Sequence, residues 1–156
     1  MDTLSVTMQT IDEKVMFSAG ARGNPAIVID YFPPIGTGKG YTSMELLMIS
    51  LGSCVSTTLI TLLRNRMKKT IAGIVTEVNG TICDEHPKKL NQITILLKIN
   101  AQNLTNAELQ EALNIVETKV CPVWAMLKGN VTVNVKSEIV LLMLNLPFFR
   151  QANKVC

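Results

Sequence analysis

Four cysteines, at positions 54, 83, 121 and 156, carry most of the chemical potential of this 156-residue chain. A thiol can serve as nucleophile, metal ligand or redox centre, and its neighbours decide which of these is open. No two of the four form a Cys-x-x-Cys pair, and the only histidine is His86, so we expect no metal site and no cofactor. Cys83 falls at the end of a strand-like run and Cys156 at the terminus, and neither setting suggests catalysis. His86 precedes Pro87 in a turn and reads as structural. Cys54 and Cys121 are different, because each is set at a special point of a helix.

Cys54 lies near the middle of Met44 to Arg66, a helical run with no formal charge between Leu46 and Leu63. At the 3.6-residue period it shares a face with Leu47, Leu51, Thr58 and Leu62. Thr42 and Glu45 have the spacing of a capping box, and Arg64, Arg66, Lys68 and Lys69 crowd the other end, where cations suit the negative helix pole. The uncharged run meets the length criterion for a bilayer-spanning helix. Gly52, Ser53, Ser56, Thr57, Thr58 and Thr61 dilute its hydrophobicity, however, and strand-rich flanks predict a buried central helix rather than a membrane span.

Cys121 ends a second amphipathic helix, opened by Thr105 and Glu108 and carrying Leu109, Leu113, Val116 and Val120 on one face. Pro122 cannot continue that helix but suits the first turn of a new one, so Cys121 is expected as N-cap of a segment from Pro122 to Lys128. The positive pole of that segment would favour thiolate over thiol.

The remaining pattern supplies the sheets. Leu4, Val6 and Met8, then Val15 and Phe17, alternate as an opening hairpin, and Ala26 to Tyr31 is a third strand after the turn Gly20 to Pro25. Ile71 to Cys83 and Leu90 to Ile99 read as a long antiparallel pair, with Gly80 as a candidate bulge. Val131 to Val135 is the last strand. After it the apolar stretch from Ser137 reads as an extra strand or a tail that packs on a partner. Strands and helices cluster rather than alternate, which predicts an α+β fold with antiparallel sheet.

A net charge of +3 with 4% aromatic residues offers neither the field nor the stacking surface that nucleic acid requires. A mean hydropathy of +0.28 is high for a lone soluble chain and predicts an apolar face shared with another subunit. Met1 to Ser5 has neither basic start nor apolar stretch, so a cytoplasmic protein with free thiols is expected.

Three segments together resemble the OsmC/Ohr family of thiol-dependent peroxide reductases: Ser43 through Cys54, the turn Glu85-His86-Pro87, and Val120-Cys121-Pro122-Val123. The likeness spans residues 1–136 as one OsmC-like domain and leaves residues 137–156 as a C-terminal extension. It implies an intertwined homodimer whose antiparallel sheets wrap long central helices, with active sites at the subunit interface. Cys54 would attack an organic hydroperoxide and Cys121 would resolve the sulfenic acid as a disulfide, which a dithiol reductant of lipoyl or thioredoxin type reopens. The family's thiolate-stabilising arginine corresponds to Arg22. Its supporting glutamate stands ten residues before the cysteine, where this chain has Met44, and Glu45 follows at nine. Leu47, Leu51 and Met126 are expected to line an apolar substrate pocket. The alternative is a non-catalytic dimeric module that holds a small apolar ligand at the same interface.

Overall fold

The computed structural model describes residues 3–140. It divides into two compact units, Met1–Ile49 and the chain from Ser50 onward. The sequence-predicted tail lies, apart from its first four residues, outside the described part, as does Cys156.

The first unit is built on a three-stranded antiparallel sheet of β1 (Thr7–Thr10), β2 (Phe17–Gly20) and β3 (Ile27–Ile29). The expected hairpin is present but shifted towards the C-terminus. Asp12 Oδ1 accepts from the amides of Lys14 (2.9 Å) and Met16 (3.0 Å), and Ile11 N donates to Met16 O, so Val15 is drawn into the turn instead of a strand. After β3 the Pro- and Gly-rich segment folds around buried Asp30. Its carboxylate accepts from the amides of Tyr31, Thr37 and Lys39 and from the Thr37 hydroxyl at 2.6 Å. These donors, the Thr37 hydroxyl foremost, hold the Asp30 carboxyl well below the usual carboxylate range despite its burial. The segment leads into helix α1 (Ser43–Thr61). There the predicted capping box forms, with Glu45 N donating to Thr42 Oγ1 at 3.2 Å and Thr42 N to Glu45 Oε2 at 2.7 Å.

The second unit holds the rest of α1 and a sheet of β4 (Thr70–Ile82), β5 (Leu90–Gln102) and β6 (Thr132–Val140) in that order. β4 and β5 pair antiparallel, with Ile74 opposite Ile99, Thr76 opposite Leu97 and Val78 opposite Ile95. Gly80 pairs directly with Ile93, so the expected bulge there is absent. The register shifts fall instead between Ile71 and Gly73 and between Thr81 and Ile82. Alternation puts Ile93, Ile95, Leu97 and Ile99 on one face of β5, where they are fully buried and make the core of the unit.

The α+β class with antiparallel pairing holds, and this second sheet is mixed, because β6 runs parallel to β5, with Ile93 opposite Val133 and Ile99 opposite Ile139. A parallel neighbour needs a long crossover, and α2 (Asn106–Ile115) with α3 (Pro122–Leu127) supplies it. β6 also absorbs Ser137 to Val140 as a continuation of one strand.

Helices α1 and α2 both meet the buried face of this sheet. Gly52 of α1 meets Val78 and Thr76 of β4, while Gln110 of α2 donates to Ser137 Oγ of β6, whose residue pairs with Leu97 and therefore shares the face of Thr76. Lys69, just before β4, bonds Glu108 in the first turn of α2 at 2.6 Å and ties the two layers. The long helix is not α-helical throughout. A π-helical turn, Leu62–Arg66, closes it, with Met67 N donating to Leu62 O and Lys68 in the left-handed region at φ 57°. Arg64 donates to Ile71 O at 2.6 Å, so one of the expected pole-compensating cations serves the next strand.

Candidate active site

Two supports that share no backbone bring the two cysteines together. Cys54 rides on α1, on the flank of the face that carries buried Leu51, Val55 and Leu59. Cys121 follows α2, but not by a regular helix end. Residues Val116–Val120 form a π-helical turn, in which Cys121 N donates to Val116 O at 2.9 Å. The extra residue in that turn changes the direction in which Cys121 leaves the helix. At Cys121 the chain is extended (φ −82°, ψ 105°), as the residue before a proline prefers, and α3 begins with Pro122 at its first position.

The Cys121 sulfur lies 2.8 Å from that of Cys54 and donates its S–H to it. The same sulfur accepts the amide of Trp124 at 3.5 Å, which makes Cys121 the N-cap of α3 as expected. The ionisation of Cys121 runs against expectation. Burial, with 2% of the residue accessible, and the hydrogen bond to Cys54 push its thiol up to about 11, and the amides of Trp124 and Val123 offset only part of this. A one-turn helix of six residues has too weak a pole to outweigh desolvation. The proton thus stays on Cys121 and points at Cys54, which is half-buried and the more accessible residue of the two.

This arrangement suits a two-thiol redox couple. An oxidised sulfur on Cys54 would meet a protonated thiol 2.8 Å away, and condensation to a disulfide would close that gap to about 2.05 Å.

The other predicted residues are placed less centrally. Arg22 sits in the turn closed by Asn24 N donating to Ala21 O, at φ 54°, exposed, and makes no side-chain hydrogen bond or ion pair among the described residues. Glu45 belongs to the cap of α1, where its Oε2 accepts from both Thr42 N and Thr42 Oγ1. The two form no ion pair with each other. Of the three residues expected to line a pocket, Leu51 is wholly inaccessible, Leu47 is half-buried and Met126 is 71% exposed on α3. Helix periodicity fixes the face of such a residue but not what covers it. Cys83 donates to Glu85 O and Pro87 O and accepts from Lys89 N within its hairpin turn. Among the described residues no group of three or more His, Cys, Asp or Glu side chains could hold a metal ion. The π-helical turn before Cys121 was missed by sequence reasoning, and no local signal announces it.

A family model described as "OsmC-like protein" matches residues 36–136. No curated protein matches the chain. Among solved structures, a hypothetical protein from Aquifex aeolicus superposes with a TM-score of 0.77 at 24% identity, covering 90% of this chain and 98% of its own. An OsmC-like protein from Mycoplasma pneumoniae gives 0.76 at 22% identity over 89% and 98% of the two chains. The organic hydroperoxide resistance protein OhrB of Bacillus subtilis gives 0.61 at 18% identity over 88% and 98%.

Proposed function

The chain belongs to the OsmC-like family, and on that premise we propose that it reduces organic hydroperoxides with Cys54 as the attacking thiolate and Cys121 as the resolving thiol. The thiolate of Cys54 takes the distal oxygen of R–O–O–H as the O–O bond breaks. The alkoxide leaves and takes a proton from solvent to become the alcohol, while the distal oxygen keeps its hydrogen and Cys54 becomes a sulfenic acid. Cys121 then attacks that sulfur, and its S–H proton leaves with the hydroxyl as water while the disulfide forms. A dithiol reductant of lipoyl or thioredoxin type restores both thiols and is itself oxidised to a disulfide. The observation that carries this proposal is the 2.8 Å contact between a half-buried and a buried sulfur drawn from separate helices.

A homodimer completes the proposal. Leu4, Val6, Met8, Ile11 and Phe32 of the first unit are each about half exposed or more. Only 28% of the most apolar window of Ser43–Arg66 is buried, a helix long and apolar enough by length and composition to cross a membrane. A second copy in the cytoplasm is the cover we favour for both surfaces.

The test is consumption of cumene hydroperoxide with a dithiol reductant. Wild type should turn over and Cys54→Ser should not. Cys121→Ser should consume about one equivalent and stall with a sulfenic acid that a dimedone-type reagent captures. Equal turnover by wild type and Cys54→Ser, or none by wild type, removes the proposal. A non-catalytic module binding an apolar ligand is the second reading, favoured by the lack of any ion pair between Arg22 and Glu45. It requires a ligand to co-purify and Cys54 to resist thiol reagents at neutral pH.

A further inference from the structure

Gly52 is buried in α1 at a place where the helix backbone meets strand β4 directly. A Cβ at this position would stand 2.8 Å from Val78 Cγ2 and 3.5 Å from Thr76 Cγ2. The first distance is too short for two carbons, and valine has little rotamer freedom with which to yield. One turn further on, Ser56 donates its hydroxyl proton to Gly52 O at 2.7 Å, so Thr76 is the donor of the 2.6 Å bond that joins its Oγ1 to Ser56 Oγ. The glycine contact fixes how closely α1 approaches the sheet. The hydroxyl bridge fixes its rotation and its position along the strand.

Cys54 lies midway between these two residues in sequence and about 200° around the helix from Gly52, on the far flank. Its partner does not follow it. Cys121 is held by its own amide bond to Val116 and by the Trp124 amide, on a chain that descends from α2. α1 meets the sheet at Gly52 and α2 meets it at Gln110, so a shift of α1 away from β4 moves Cys54 without moving the support of Cys121 and disturbs the 2.8 Å contact.

We propose that Gly52 and Ser56, seated on Val78 and Thr76, are positioning residues that set the alignment of the Cys54 and Cys121 sulfurs for disulfide formation. This rests on the pair being redox-active and concerns only the step that joins the two sulfurs. Disulfide bonding tolerates a narrow range of separations and dihedrals, so a displacement of a few tenths of an ångström is felt there before it is felt in the fold.

The experiment equilibrates the full-length protein with reduced and oxidised glutathione and reads the Cys54–Cys121 disulfide by mass. The protein dithiol and oxidised glutathione give the protein disulfide and two reduced glutathiones. Gly52→Ala should lower this equilibrium constant about tenfold by overpacking the seat. Val78→Ala in the same chain removes the opposing methyl and should restore the constant to near the wild-type value. Val78→Ala alone should lower the melting temperature and leave the constant unmoved, which separates seating from stability. Ser56→Ala should lower the constant about threefold through loss of one hydrogen bond. A folded Gly52→Ala protein with the wild-type constant, or one that Val78→Ala fails to rescue, overturns the proposal. If Gly52→Ala does not fold, an unchanged constant in Ser56→Ala overturns it instead, and a lowered one supports it. No hydroperoxide enters this measurement. Lack of peroxide turnover by wild type would therefore remove the enzymatic proposal and leave the seat standing, while turnover with an unmoved Gly52→Ala constant would remove only the seat.

Discussion

At the scale of single residues, the asymmetry between two sulfurs matters more than their proximity. Cys121 is buried and keeps its proton, while Cys54 is reachable and receives that proton as a hydrogen bond. Because the folded state raises the Cys121 thiol from 9.0 to about 11, folding favours the protonated form. The associated stability is fully present below about pH 9 and is lost as pH rises through about 11. Urea midpoints of the reduced protein should fall over that window, and the fall should be smaller in Cys121→Ser. A wild-type midpoint that is flat to pH 11 would show that the thiol is not desolvated. Both cysteines were legible in the sequence, one by its place in an uncharged helix and the other by the proline after it. The direction of the Cys121 shift was not, because a helix-pole argument sees the local chain and not the side chains that exclude water.

At the scale of elements, α2 is the part on which the site leans, since it ends in the π-helical turn that aims Cys121. Its start is fixed by a complete capping box, with Glu108 N donating to Thr105 Oγ1 at 3.3 Å and Thr105 N to Glu108 Oε2 at 3.0 Å. Thr105→Ala should destabilise the protein by about 1 kcal/mol, the usual cost of a lost N-cap, read as a lower urea midpoint. A variant with an unmoved midpoint would mean that packing alone holds the helix end. The Lys69 ammonium and the Thr105 donors hold the Glu108 carboxyl down at about 2. Its contribution is present above about pH 4.5 and lost as pH falls through about 2. Helix starts were readable because capping boxes are local in sequence. The strand pair β4–β5 was readable because alternation persists over 13 residues in each strand. The parallel entry of β6 was not, since it depends on how a crossover settles on a sheet, and neither π-helical turn carries a local signal.

At the scale of the whole molecule, the α+β class followed from the clustering of strands and helices, and the family model confirms the frame over residues 36–136. Composition already hinted at a shared surface, and the first unit leaves a set of apolar side chains open to solvent. Met8, 52% exposed, lies on the edge strand β1 of that unit, and Val6, 73% exposed, just before it. If a second copy covers them, light scattering should return twice the 17.1 kDa chain mass, and Val6→Asp should shift the protein towards the single-chain value. A wild-type protein of single-chain mass at every concentration would sink the dimer. Ser50, Ser53 and Thr57 form the open stripe of α1 and flank Cys54 directly. A partner lying against that stripe would wall off the reactive sulfur on the side its own chain leaves bare. Turnover per molecule would then decline on dilution, as assembled pairs come apart by mass action.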